Sequence, residues 1–109
     1  MDNKITLFHW NILELSDNQA IFVGLQHRPE RDNIQKHDIT ADVLLNYSFR
    51  QSTAIQLFDE ITGQGVTRSG RQYNCLGLPS DPKNLIRMMV KLKFGLLPWR
   101  FRYEFKQDS

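Results

Sequence analysis

Two stretches of this chain alternate apolar and polar residues with a period of two, broken only by Leu44, and that constrains the fold most. In residues 43–50, Val43, Leu45, Tyr47 and Phe49 fall on one face, and Asn46, Ser48 and Arg50 on the other. In residues 99–106, Trp99, Phe101, Tyr103 and Phe105 face one way; Arg100, Arg102, Glu104 and Lys106 face the other. Successive side chains of a strand point to opposite faces, so both segments read as half-buried strands. A fold built on them needs an apolar layer on one side of a mainly antiparallel sheet.

The rest of the chain fits that frame. Residues 4–14 are rich in β-branched and aromatic side chains and read as a strand, Ser16-Asp17-Asn18 as a turn, and residues 20–26 as the returning strand. Residues 53–61 fit two readings. A capping box of Thr53 and Gln56 with Gly63 at the end suits a helix, whereas a strand puts Ile55 and Leu57 inward; strand is the choice. Residues 65–68 and 71–77 flank Ser69-Gly70, a two-residue hairpin signal that sets Arg68 opposite Arg71. Asp81-Pro82 opens a helix over 82–94, with Asp81 as its N-cap. Leu85, Ile86, Met88, Met89, Val90 and Leu92 give this helix a wide apolar face, and Lys83, Arg87 and Lys91 lie opposite. Lys91 and Lys93 suit its negative end, and Gly95 stops it. The expected fold is α+β: an antiparallel sheet of six or seven strands, open to closing partly into a barrel, with one helix.

At 109 residues the chain fits one domain, 1–109, with enough core to fold without staples. Its single cysteine excludes a disulfide framework and a Cys-rich zinc site within the chain. No apolar run approaches a membrane span, and the first 15 residues lack the features of a signal peptide, so a cytoplasmic protein is expected.

The net charge of +2 hides an asymmetry: residues 1–65 carry five cations against nine acids, and residues 66–109 nine against three. If the halves fold together, these charges neutralise each other. If they do not, the basic half offers Lys83, Arg87, Lys91, Arg100, Arg102 and Lys106 to phosphates. The alternation of residues 99–106 sends aromatics and cations to opposite faces, which disfavours base stacking.

Two features spend charge without an evident internal partner. Residues 27–38 form a long polar loop carrying Arg28, Arg31 and Lys36 among acids. The 67–73 hairpin carries Arg68 and Arg71, and like charges directly opposite each other cost stability unless an anion joins them. Ser52-Thr53-Ala54-Ile55 followed by Thr67-Arg68-Ser69-Gly70-Arg71-Gln72-Tyr73-Asn74-Cys75-Leu76-Gly77 weakly resembles small uncharacterised bacterial proteins. Their middle reads Thr-Ser-x-Ile, then Thr-Arg-Ser-Gly-Arg-x-Tyr-x-Leu-x-Gly. The resemblance implies a strand over 53–59 and brings no activity or cofactor.

Enzyme readings find little to build on. His9 lies in a strand, and His27 and His37 with Asp32 and Asp38 have no recognised metal-ligand spacing. Cys75 reads as a small core residue. Asp59 and Glu60 point to opposite faces of a strand, and Gly63-Gln64-Gly65 lacks the third glycine of a dinucleotide loop. The expectation is a non-enzymatic, cofactor-free interaction module of a bacterial cytoplasm, such as an immunity or antitoxin-like protein. Its partner would be met by Arg68, Arg71, Arg28, Arg31 and Lys36. A nucleic-acid-binding protein is the alternative.

Overall fold

The computed structural model describes residues 4–27, 47–95 and 98–105. Strands β1 (Ile5–Leu15) and β2 (Ala20–His27) form the first hairpin. They are followed by β3 (Tyr47–Asp59), β4 (Gln64–Thr67) and β5 (Gln72–Cys75). A turn of 3-10 helix at Pro82–Asn84 leads into helix α1 (Leu85–Phe94), and β6 (Trp99–Phe101) comes last.

Strands β1 to β5 each pair antiparallel with the next, so β1 and β5 point the same way. A ring of five alternating strands can close only through one parallel pair. That pair is β1 with β5, where Ile5 faces Tyr73 and Leu7 faces Cys75. The barrel therefore closes, and β6 adds antiparallel to the same edge of β1 further along, Leu13 opposite Phe101 and Leu15 opposite Trp99. The fold is α+β, a six-stranded sheet with five strands in a barrel.

Two apolar layers hold it. Ile5, Leu7, Trp10, Ile12, Phe22, Tyr73 and Cys75 fill one cluster, joined by Ile55, Phe58 and Tyr103. Leu13, Ile21, Val23 and Leu25, alternate residues of β1 and β2, form the other with Ile86 and Val90 of α1. Both faces of this hairpin are thus covered, which explains the unbroken apolar run from Ala20 to Val23. Gly65 belongs to this packing: a Cβ there would lie 2.5 Å from Phe22 Cζ.

Between β5 and β6 the edge of β1 is bridged by the fully buried Asn11. Its Nδ2 donates to the Tyr103 carbonyl at 2.9 Å, and its Oδ1 accepts from the Tyr103 N–H at 3.2 Å and the Ile12 N–H at 2.7 Å. The side-chain amide stands in for a stretch of ladder. Just before it, His9 and Trp10 lie opposite Gly24 alone, a bulge in which His9 adopts φ 53°.

Several expectations need correction. Residues 53–59 are strand as expected, but they continue the strand read from 43–50; within the described residues β3 is one element. No turn is needed because β3 passes from β2 to β4 along its length: Ala54 still pairs with Ile21, and Ile55 with Thr67. The 99–106 strand ends at Phe101, since the Asn11 amide takes over its pairing at Tyr103. The alternation persists to residue 105, with half-buried aromatics and exposed Arg100, Arg102 and Glu104.

The helix begins later than 82. Lys83 and Asn84 adopt left-handed backbone, so α1 starts at Leu85. Asp81 still caps it from a distance, Oδ1 accepting from the Ile86 N–H at 2.6 Å and Oδ2 from the Arg87 N–H at 3.3 Å. Of the wide apolar face only Ile86 and Val90 are buried; Met88 is 49% and Leu92 74% exposed. The Gly95 N–H closes the helix on the Lys91 carbonyl at 2.9 Å.

Candidate binding surface

Strand directions sort the charged groups. β1, β3 and β5 start, and β2 and β4 finish, at one end of the barrel, which also holds the 67–72 tip; we call it the hairpin end. The other end carries the 16–19 and 60–63 turns, and β6 docks beside it.

The tip differs from expectation. Gln72 pairs with Val66, the Thr67 N–H donates to the Arg71 carbonyl at 3.1 Å, and the Gly70 N–H donates to the Thr67 carbonyl at 2.8 Å. The loop is therefore three residues, Arg68-Ser69-Gly70, with Gly70 at φ 85° supplying the left-handed position such loops require. Arg71 faces Thr67, so the direct opposition of Arg68 and Arg71 does not occur. A hydroxyl cluster fixes this geometry: Ser69 Oγ lies 3.1 Å from Thr67 Oγ1 and accepts from Thr53 Oγ1 at 3.2 Å. The Arg68 N–H donates to the Ala54 carbonyl of β3 at 2.7 Å. The tip is held against β3 by backbone and hydroxyls. Among the described residues, no hydrogen bond or ion pair engages either exposed guanidinium.

A third arginine belongs to this end. The alternation of residues 43–50 sets Arg50 on the polar face of a half-buried strand, yet its side chain reaches the barrel interior at Tyr73, as does the buried Ser52 further along β3, while Phe49 packs on the α1 layer. Ser52 is 7% exposed and its Oγ accepts from the Phe22 N–H at 2.8 Å. Half-buried Arg50 donates from Nε to the Tyr73 phenol at 3.2 Å and from Nη1 to Gln26 Oε1 at 3.3 Å. Both partners are neutral. Tyr73 itself is only 2% exposed.

The basic C-terminal residues are placed otherwise. Arg100 Nε and Arg102 Nε meet the two oxygens of Glu14 at 2.7 and 3.0 Å. These hydrogen bonds, that of Arg102 foremost, hold the Glu14 carboxyl below the usual glutamate range. Arg87 pairs with Asp81 at 3.1 Å and lies 4.7 Å from the centre of the Phe105 ring. Lys83 and Lys91 are exposed, on the left-handed turn and on α1. The structure therefore does not gather this set into one free cationic face. Arg28, Arg31, Lys36 and Lys106 lie outside the described residues.

The remaining candidates have structural employment. His9 Nδ1 lies 2.8 Å from Ser80 Oγ, tying the chain after β5 to the β1 bulge. Burial pushes the Cys75 thiol up to about 12, so it carries little thiolate at neutral pH. Asp59 Oδ1 accepts from the Ile61 N–H at 2.9 Å, and Glu60 accepts from the Tyr103 hydroxyl at 3.0 Å. Burial, with that bond to Glu60, raises the Tyr103 phenol. Among the described residues no three His, Cys, Asp or Glu side chains gather as a metal site, and no helix is long and apolar enough to cross a membrane.

Sequence reasoning singled out Arg68 and Arg71 but not Arg50, which the structure sets against Tyr73. Tyr73, alternating with Cys75, carried the only signal, marking the interior face of β5. Compared with protein-family models, curated proteins and solved structures, the chain matches none.

Proposed function

We propose that this chain is a non-enzymatic interaction module whose hairpin end receives an acidic protein surface. One observation carries the reading: Arg50, Arg68 and Arg71 share that end, and among the described residues none of them contacts a carboxylate. Exposed guanidiniums on a loop fixed by its backbone are suited to bidentate carboxylate contacts with little reorganisation. The narrower reading is an immunity or antitoxin-like protein of a bacterial cytoplasm, in which the acidic surface belongs to a toxin. Small size and a preformed cationic end are what support it.

Nucleic acid is the second reading, favoured by the fact that Arg68 and Arg71 would accept phosphates as readily as carboxylates. It is weakened by the ion pairs that engage Arg87, Arg100 and Arg102. The test is a direct comparison at low salt between a polyglutamate peptide and an oligonucleotide of equal charge. The proposed function expects the peptide to bind and the Arg68→Ala/Arg71→Ala variant to lose most of that affinity. Tighter oligonucleotide binding, weakened by charge reversal at Lys83 and Lys91, would transfer the assignment to nucleic acid. Co-purification with the product of the adjacent open reading frame tests the immunity form.

A further inference from the structure

We infer that Arg50 and the Tyr73 phenol form a carboxylate-binding notch in the hairpin end of the barrel, the anchor for one Asp or Glu side chain of the acidic partner. The inference rests on the reading above and narrows it to a single contact.

The argument begins with donors. A guanidinium is a planar fork of N–H donors with no acceptor. Arg50 spends Nε on Tyr73 and Nη1 on Gln26, both neutral, and its remaining N–H groups have no partner among the described residues. The Tyr73 oxygen accepts from Arg50, which leaves its own proton to donate, and no described acceptor takes it. Buried hydroxyls are rarely left that way. The two groups together present only donors, on a cation that is half-buried.

Charge and rigidity fit the same ligand. A cation taken partly out of water gains from an anion far more than an exposed one does. The phenol is fixed by packing: the Tyr73 ring lies 5.2 Å from that of Phe22, and its backbone is paired on both sides, with Ile5 and Gly65. Arg50 is fixed by β3 and by its two hydrogen bonds. A carboxylate could take two N–H donors of the fork while its second oxygen accepts from the phenol. Arg68 and Arg71 would steer the acidic segment, and Arg50 would hold it. Such a division is common, with rim charges setting association rate and desolvated arginines carrying affinity.

The experiment uses the full chain and two probes, an N-acetylated tetraglutamate amide and inorganic phosphate. Binding is followed through the Arg50 Nε–H resonance by NMR and by isothermal titration. The peptide is expected to shift that resonance, and Arg50→Met to weaken the peptide about tenfold or more. Arg50→Lys, which keeps charge without the fork, and Tyr73→Phe should each weaken it by a smaller factor. Arg50→Met removes a half-buried cation without a counter-ion but also the donor to the buried Tyr73 phenol, two opposed effects on stability. Binding is therefore compared at a temperature where circular dichroism shows each variant folded. Loss of peptide binding in Arg68→Ala/Arg71→Ala with none in Arg50→Met overturns the notch and leaves the acidic-partner reading standing. No peptide binding at low salt overturns both. Phosphate matching the peptide in affinity overturns the carboxylate assignment, making the notch a general anion site.

Discussion

The two ends of the barrel treat charge in opposite ways. Where β6 docks, Glu14 holds Arg100 and Arg102, Asp81 holds Arg87 together with two backbone N–H groups, and Asp59 and Glu60 hold a turn and a phenol. At the hairpin end Arg50 meets neutral groups, and Arg68 and Arg71 reach into solvent from a loop that is anchored without them. Charge at the docking end serves the fold. Among the described residues, the arginines of the hairpin end meet no carboxylate, and the proposed function rests on that contrast. Net charge by sequence half concealed this, because the basic half supplies cations to both ends.

Variants can break or sharpen the contrast. The largest effect is expected at Asn11, where Ala would strip both the Tyr103 N–H and its carbonyl of their buried partner. A loss of about 2–4 kcal/mol follows, read by urea unfolding monitored by circular dichroism. Asn11→Ala with wild-type stability would mean that the docking end is held by its aromatics alone. Next comes Asp81→Ala. The side chain is 1% exposed and caps α1 through two N–H groups, so about 1–2 kcal/mol should go, with helical signal lost first.

Glu14→Gln is a smaller, pH-dependent case. The folded state lowers the Glu14 pKa, so its bonds to Arg102 and Arg100 stabilise above the usual glutamate value near 4.3 and are lost as pH falls through the lower folded value. Melting curves of Glu14→Gln should therefore vary less over the acidic range than those of wild type and converge with them at the lowest pH. The smallest effect belongs to the other end. Arg68→Ala/Arg71→Ala should stay within about 0.5 kcal/mol of wild type, because the arginines are not opposed and their loop is held by backbone and hydroxyls. A marked destabilisation there would erase the contrast between the ends.

What could be read in the sequence follows from the range of the forces involved. The alternation in 99–106 placed Trp99, Phe101 and Phe105 against the core and Arg100 and Arg102 outside, because strand pleat is local. The helix stop at Gly95 was equally local. Its start was misplaced by three residues, since Asp81 and Pro82 look like a cap beside its helix, whereas left-handed Lys83 and Asn84 put a turn between them. At the hairpin, Ser69-Gly70 fits a two-residue loop on composition. Only the Thr67–Ser69–Thr53 hydroxyl cluster, with one member on another strand, shows why the three-residue loop wins. Arg50 was least legible. With apolar layers on two sides of β2 and β3, the polar face of a strand can turn inward, and a single period of two cannot say which layer Phe49 joins.

The parallel pair that closes the barrel also orders its assembly. Antiparallel neighbours β1 to β5 can pair in order as the chain lengthens, β1–β2, β3–β4 and β4–β5 through contacts close in sequence and β2–β3 across a longer separation. The edge of β1 waits longest, for Tyr73 and Cys75 at one half and for Trp99 to Phe101 at the other. Until then it presents unpaired backbone groups flanked by Leu7, Ile12 and Leu13, the kind of edge on which chains add to one another. The first strand of the barrel is thus the last one covered. Truncation before β6 would leave the Leu13–Leu15 stretch of that edge permanently open, which makes the final segment a guard against self-association as well as part of the sheet.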